Sequence, residues 1–307
     1  NYFKPETGKI PSKITVSSRP LGKSGLIEPR LSGVAPFPQD LRAEHGFDNR
    51  GDHLSLSPLL MESFLNLSRS IVLSENFNRK TCGVWPSVFE APKEKDRTNE
   101  IINERLNHFI IRAFRRPVDP ATLNRYSSHT TDLIKSGSSF LDAMKETVSA
   151  ILASPRFLYL YDSESKHSKD YELATRLSFF LWGSIPDDML IERAASGDLS
   201  NPGVLRAQVE RMLLDGKLKR FCDSFPSQWL QLDRIISSVP DPTKYPDFYY
   251  APPNYRTTMD MMMEPLLLFE TILVEDRPIT DLIDSDYSYR SKRLSKWYDS
   301  EVEGRLG

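Results

Sequence analysis

The sequence is poor in cysteine, in long apolar runs and in charge of one sign. Only two of its 307 residues are cysteine, which excludes a disulfide scaffold and a cysteine-rich zinc site. No apolar run approaches the ~18 residues that a membrane-spanning helix needs, so no membrane span is expected. Lys and Arg total 40 against 42 Asp and Glu, and this balance gives no reason to expect nucleic acid as a partner.

The common catalytic and cofactor motifs are absent as well. Neither Cys82 nor Cys222 begins the Cys-x-x-Cys-His string that attaches a c-type haem. The sequence has no nucleophile elbow, zinc-protease motif, P-loop or dinucleotide-binding glycine pattern. The residues therefore identify no catalytic group and no cofactor-binding residue in this chain, and whether it is an enzyme stays open.

The first 40 residues differ in composition from the rest. The first 35 contain six basic residues against two acidic ones, and no helical period is visible. Alternation around Ile14 and Val16 allows one short strand at 13–18. We interpret residues 1–40 as an extended basic arm, or as the remnant of an upstream domain. The prolines that punctuate this arm are Pro5, Pro11, Pro20, Pro29, Pro36 and Pro38.

From Ser57 onward the sequence carries repeated helix signals. A capping residue followed by proline at the first helical position occurs at 57–58, 119–120 and 201–202. Asp187 begins a shorter helix that Gly197 ends. No segment shows sustained strand alternation. The sequence therefore predicts a mainly α fold with a multi-helix body.

A polar segment at 162–170 is the best internal boundary of this body. It divides the helices into two predicted subdomains, a first helical domain at 41–161 and a second at 162–307. The arm at 1–40 precedes both.

Helical spacing also predicts which side chains form the core. One face of the helix after the boundary carries Leu173, Leu177, Phe180 and Leu181. A later face carries Leu218, Cys222, Phe225, Trp229 and Leu232, interrupted by a proline that is expected to kink or split the helix. Cys222 is expected to be buried, and no Cys82–Cys222 bond is expected. The methionines at 259–263 point around a helix, so they are predicted to fill the core rather than bind metal.

The densest group of ligand-type side chains lies in the loop at 45–53. Asp48, Asn49 and Asp52 are weak candidates for Ca²⁺ ligands, and the histidines that flank the loop bring zinc into consideration. A structural turn is favoured, because an oxygen cage needs ~6 or more ligands. In that interpretation no metal is bound, and Phe47 inserts into the core and anchors the turn.

Two acidic groups near the C-terminus have structural interpretations. Asp281 is predicted to cap a short helix rather than to begin a calcium turn, because the glycine and closing glutamate of a calcium loop are absent. Glu264 and Glu270 lie six positions apart and share no helix face, so no catalytic carboxylate pair is predicted.

An ordered set of strings resembles a known group of proteins. The strings are GFDNRGD (46–52), LSPLLME (56–62), AFRRPV (113–118), AILASPRFL (150–158), LSFFLW (177–182), PDD (186–188), QWLQL (228–232) and EDRP (275–278). They resemble consecutive domains of unknown function in large planctomycete multidomain proteins, which are thought to be exported and commonly carry an N-terminal c-type cytochrome-like domain. Many relatives have a second cysteine shortly after the position of Cys82, and this chain lacks it.

The resemblance implies a role without implying a reaction. The chain would be a middle section of an exported protein, located in the periplasm or outside the cell. Any haem c would belong to another domain or to a partner chain, and the expected partners are other domains or subunits of the same assembly, a c-type cytochrome among them. We therefore expect a helical scaffold. The alternatives are part of an exported oxidoreductase or polysaccharide-processing enzyme whose site lies in other domains, or a building block of an extracellular assembly.

Overall fold

The computed structural model describes residues 2–3, 47, 57–160, 169–238, 240–246, 254–291 and 294. Most of the predicted arm at 1–40, including the strand at 13–18, lies outside these residues. So do the metal candidates Asp48, Asn49 and Asp52.

The prediction of a mainly α fold is confirmed. The described residues form twelve α-helices and one short pair of strands. Strand β1 (Tyr2–Phe3) pairs antiparallel with β2 (Arg290–Ser291), so that the first described residues lie beside residues 290–291. The helices are α1 (Pro58–Val72), α2 (Trp85–Val88), α3 (Thr98–Phe114), α4 (Pro120–Lys135), α5 (Phe140–Leu152), α6 (Pro155–Leu158), α7 (Lys169–Trp182), α8 (Asp188–Ser196), α9 (Pro202–Leu213), α10 (Lys219–Trp229), α11 (Asp233–Ser237) and α12 (Asn254–Val274).

The predicted caps lie where the sequence placed them. The side chain of Ser57 accepts a hydrogen bond from the amide of Leu60 at 3.2 Å, and Asp119 accepts one from Thr122 at 2.8 Å. Gly197 ends α8 with a positive φ of 73°, a conformation that glycine adopts without strain. Each cap satisfies a backbone group that the helix end leaves unpaired.

The predicted cap at Asp281 is wrong. Asp281 lies inside a 3-10 turn, Ile279–Leu282, whose N-cap is Pro278 with no capping side chain. The turn follows a proline that already fixes the backbone, so no acidic cap is needed there. The carboxylate of Asp281 instead accepts a hydrogen bond from the hydroxyl of Tyr287 at 3.5 Å.

Residues 72–157 contribute one hydrophobic cluster. Its fully buried side chains come from α3 and α5 and include Ile102, Leu106, Ile110 and Met144. Helix α1 packs along α5 and is fixed there by the hydroxyl of Ser68, which donates to the carbonyl of Ser149 at 2.9 Å.

Residues 174–289 contribute two further clusters. In the first, Trp182 is fully buried and its indole nitrogen donates to the carbonyl of Met212 at 3.2 Å. In the second, Met262 and Met263 are buried, as the sequence predicted for this methionine run. Tyr289 completes this cluster, with its hydroxyl 2.6 Å from that of Thr271.

Two aromatic residues that the sequence placed in the core are exposed. Phe180 is 61% exposed and Trp229 is 48% exposed. On α7 the small residues Ala174 and Ser178 are buried instead, because small side chains let neighbouring helices approach closely. On α10 the inner face is taken by Cys222, Asp223, Pro226 and Ser227. Phe225 is therefore half-buried beside this face, and Trp229 is exposed.

The other expectations for α10 have mixed outcomes. Pro226 does not split the helix, which runs unbroken from Lys219 to Trp229. Both cysteines are free, and Cys222 is buried, as predicted. Burial raises the pKa of the Cys222 thiol to about 12, so the thiol stays protonated at neutral pH and behaves as a small apolar group.

The end of α3 contains a buried arginine whose role the sequence did not reveal. The residue after the helix, Arg115, has a positive φ of 61° and is 2% exposed. Its guanidinium donates to the carbonyls of Ala113 at 2.9 Å, Phe157 at 3.1 Å and Tyr159 at 2.7 Å. It therefore binds the end of α3 to the short helix α6 and to the residue that follows that helix.

The charge of Arg115 is maintained in spite of its burial. Burial lowers the pKa of the guanidinium to about 10, with the neighbouring Arg116 adding to the effect. The side chain is still protonated at neutral pH, and its carbonyl contacts compensate part of the cost of removing the charge from water. The guanidinium carbon also lies 6.0 Å from the ring centroid of Phe179 on α7.

We expect Arg115→Gly to lower the free energy of unfolding by about 3 kcal/mol, because buried carbonyls lose a charged donor. Glycine accepts the positive φ, so the loss reports the guanidinium and not the backbone. Asp276→Gly is the matched control, since Asp276 has a φ of 53° and is exposed. Urea unfolding followed by circular dichroism measures both variants. Equal effects of the two substitutions would contradict the role given to Arg115.

Candidate functional site

An open cleft of about 510 Å³ lies between α7 and α10, a volume typical of ligand-binding pockets. One wall comes from the end of α7 and the other from one face of α10. A third element is Phe47, which is more than one hundred residues away in sequence from either helix. The lining residues are Phe47, Phe179, Phe180, Gly183, Arg220, Phe221, Ser224, Phe225 and Gln228.

The periodicity of α10 explains why its lining residues share a face. Positions 221 and 225 are one helical turn apart, and so are 220 and 224, and 224 and 228. The opposite face carries the buried Cys222 and Pro226. On the other wall, α7 ends at Trp182, and the next residue, Gly183, has a positive φ of 55° at which the chain turns away. A side chain at that position would approach Arg220.

The aromatic side chains of the cleft form a contiguous network. The ring centroids of Phe221 and Phe225 are 5.3 Å apart, and Phe180 lies 4.8 Å from Phe221. The ring of Phe269 on α12 packs against both rings of α10, with centroid distances of 5.9 Å to Phe221 and 5.7 Å to Phe225. Because these rings contact one another, the cleft presents a preformed apolar surface.

Phe47 stacks on this network. Its ring lies 5.3 Å from that of Phe225, with only 13° between the two planes. The sequence predicted an anchoring role for Phe47 through insertion into the core. The structure places the ring half-buried at the edge of the cleft, so it anchors its segment to α10 from outside.

Arg220 supplies the charge of the cleft. It is the only charged side chain among the described lining residues. One of its guanidinium nitrogens donates to the carbonyl of Trp182 at 3.1 Å, which fixes the side chain at the rim. The neighbouring polar groups are Ser224 and Gln228, joined by a hydrogen bond of 2.8 Å. The site therefore combines an apolar floor with one cation at its edge.

A buried charge cluster lies on the opposite face of α10. The ammonium of Lys219 is 3.0 Å from a carboxylate oxygen of Asp223 and also contacts the carboxylate of Glu270 on α12. Both acidic residues are buried, with 9% of Asp223 and 4% of Glu270 exposed. Two carboxylates share one lysine, so the cluster carries a net negative charge when both are ionised.

The cluster shifts the protonation of its members. Burial raises the pKa of Asp223 to about 6, and Glu270 adds to the rise while Lys219 opposes it. Burial disfavours the charge of Lys219, but Asp223 and Glu270 outweigh that effect and raise the pKa of the lysine. The cluster joins α10 to α12, so it positions the helix that carries the cleft.

The arrangement of the cleft is suited to recognition. Its described lining contains no His, Cys, Asp or Glu side chain, and none of these residue types forms a metal-binding group of three within the described ranges. Aromatic surfaces bind apolar groups, and an arginine at the rim binds a carboxylate or phosphate.

The sequence patterns did not reveal this site. Helical spacing predicted Phe180, which lines the cleft, and Trp229, which lies beside it, as core residues, and no pattern singled out Arg220. The available signal was the spacing of Arg220, Phe221, Ser224 and Phe225, which places a cation beside aromatic rings on one helix face.

Comparison with protein families finds three segments that match families of unknown function. Residues 26–74 match the model PSD3, a protein of unknown function (DUF1587). Residues 102–162 match PSD5, a protein of unknown function (DUF1595), and residues 169–299 match PSD4, a protein of unknown function (DUF1592). No curated protein and no solved structure matches the chain. The chain thus carries three domains of unknown function in succession. No helix in the described ranges has the length and apolarity needed to cross a membrane.

We expect stability to fall as pH rises from 4 to 6, by about 1–3 kcal/mol from Asp223 alone. The carboxyl has a higher pKa in the folded chain, about 6 against a usual 3.8. The folded state therefore binds the proton more tightly, and this stabilisation is lost as pH rises through 6. Thermal unfolding of wild type and Asp223→Asn across this range measures the difference. Asp286→Asn, at an exposed site, should retain the wild-type profile. A parallel profile for Asp223→Asn would show that Asp223 does not titrate in this range.

Proposed function

We propose that this chain is a helical scaffold within a larger exported protein, and that it packs against neighbouring domains, among them a c-type cytochrome module. The location that follows from this proposal is the periplasm or the outside of the cell. Three successive domains of unknown function support a section of a multidomain protein. The cytochrome module and the exported location rest on the resemblance of the sequence strings.

The observation that carries the proposal is the solvent-facing aromatic cleft. Phe180, which lines the cleft, is 61% exposed. Trp229 lies beside the cleft, contacts Phe225 and is 48% exposed. Contiguous exposed aromatic surface is unfavourable in water and is typical of interaction sites. Burial of these rings under a neighbouring domain would remove that cost.

The contact of Phe47 supports the same interpretation. The side chain comes from the segment that matches PSD3, and it packs on α10 in the segment that matches PSD4. A second link joins Arg112 of α3 to Asp188 of α8. The helical units of this chain already use side chains on their surfaces to hold one another, which is what a scaffold between further domains requires.

The test uses the full-length protein purified from its native source. Limited proteolysis cuts exposed linkers, and size-exclusion chromatography separates the products with detection of protein and of the haem absorbance band. We expect the fraction that contains this helical section to retain haem c. Phe180→Ser should reduce the retained haem several-fold, because it removes an exposed aromatic contact. The matched control is Ile283→Ser, since Ile283 is 95% exposed and outside the cleft.

Two outcomes would contradict the proposal. The first is elution of the helical section alone, free of haem and of other polypeptides, under gentle conditions. The second is equal retention of haem in wild type and Phe180→Ser, which would contradict the assignment of the contact to the aromatic cleft.

A further inference from the structure

We propose that the cleft between α7 and α10 binds an extended polypeptide segment in which an aromatic side chain is followed by a carboxylate. This inference deepens the proposed function and rests on it, because it names the chemistry of the segment that the scaffold receives from a neighbouring domain or subunit.

The first argument is the shape and polarity of the surface. Phe180, Phe221 and Phe225 form a floor of rings, and Phe180 is 61% exposed. Aromatic rings pack well against a further ring in stacked or edge-to-face arrangements. An extended peptide can place one aromatic side chain in such an open cleft without displacing either helix.

The second argument is charge. Arg220 is exposed at the rim and has no carboxylate partner among the described residues. Its contact with the carbonyl of Trp182 uses one nitrogen of the guanidinium. The remaining N–H groups are suited to a carboxylate, which arginine binds with two parallel hydrogen bonds. An acidic residue beside the bound ring therefore complements the cation beside the floor.

The third argument is the part of the chain that already occupies the edge of the cleft. The ring of Phe47 stacks on Phe225 at 5.3 Å, and Phe47 is followed in the sequence by Asp48. The chain itself thus places an aromatic residue from an aromatic–acidic pair on this surface. The open cleft beside these rings, about 510 Å³ in volume, has room for a second such side chain.

The experiment uses the full chain and two labelled peptides that differ at one position. Both carry a central Phe, followed by Asp in one peptide and by Lys in the other, and fluorescence anisotropy measures binding. We expect the Phe-Asp peptide to bind about fivefold more tightly than the Phe-Lys peptide. This difference corresponds to the contribution of one exposed ion pair to the free energy of binding. Arg220→Glu should reverse the preference, and Phe180→Ser should weaken both peptides. Arg206→Glu is the matched control, because Arg206 is an exposed arginine on α9 outside the cleft. Circular dichroism verifies that each variant is folded.

Several outcomes would overturn the inference. Equal binding of the two peptides, no binding of either to wild type, or an unchanged preference in Arg220→Glu would each exclude aromatic–acidic recognition. An oligosaccharide that binds to wild type and not to Phe180→Ser would assign the cleft to carbohydrate. These results leave the proposed scaffold role intact if haem is still retained after proteolysis. A different result separates the two claims. If haem is not retained after proteolysis but the peptides bind as expected, the cytochrome contact is refuted and the peptide-binding inference stands.

Discussion

The guanidinium of Arg115 is buried where α3 ends, and the positions of the neighbouring segments depend on it. A buried charge is unfavourable unless polar groups surround it. Here the polar groups are backbone carbonyls of α3 and of the turn around Phe157 and Tyr159. That turn must therefore approach α3 in one orientation. The guanidinium also faces the ring of Phe179, which lines the cleft, so the contact reaches from the core of residues 72–157 to the site.

Helix α10 combines two opposed surfaces. Its inner face holds Lys219 and Asp223 against Glu270, and its outer face holds Phe221 and Phe225 in the cleft. Charged side chains are thus buried on one face, while the half-buried rings of the other face line the cleft. Buried ion pairs contribute little net stability, because removal from water offsets their attraction. Their geometry nevertheless fixes how α10 is rotated against α12, and this rotation places Phe221 and Phe225 in the lining of the cleft.

Features set by a few neighbouring residues could be predicted from the sequence. The caps at Ser57 and Asp119 follow from local chemistry, and so does the mainly α class. The exposure of Phe180 and Trp229 could not be predicted, because apolar character marks a helix face without saying whether another element covers it. The cluster of Asp223 and Glu270 was missed for a related reason. A search for carboxylate pairs along one helix does not find two that meet from different helices.

The candidate site was predicted only in fragments. Phe47 was recognised as an anchor from its apolar side chain in a polar loop, but its contact with Phe225 depends on the packing of distant segments. In the sequence, Arg115 stands out only as the first arginine of the string AFRRPV at 113–118. Its burial depends on the turn at 156–159, which lies about forty residues later.

Hydrogen exchange of the full chain with Arg115→Lys tests most directly whether Arg115 couples the core to the cleft. Lysine keeps the charge but lacks the planar set of donors that reaches several carbonyls at once. The account predicts faster exchange in two places, the turn at 156–159 and the end of α7 at 179–183, with α9 unchanged. Faster exchange confined to the end of α3, with normal protection at 179–183, would contradict the coupling.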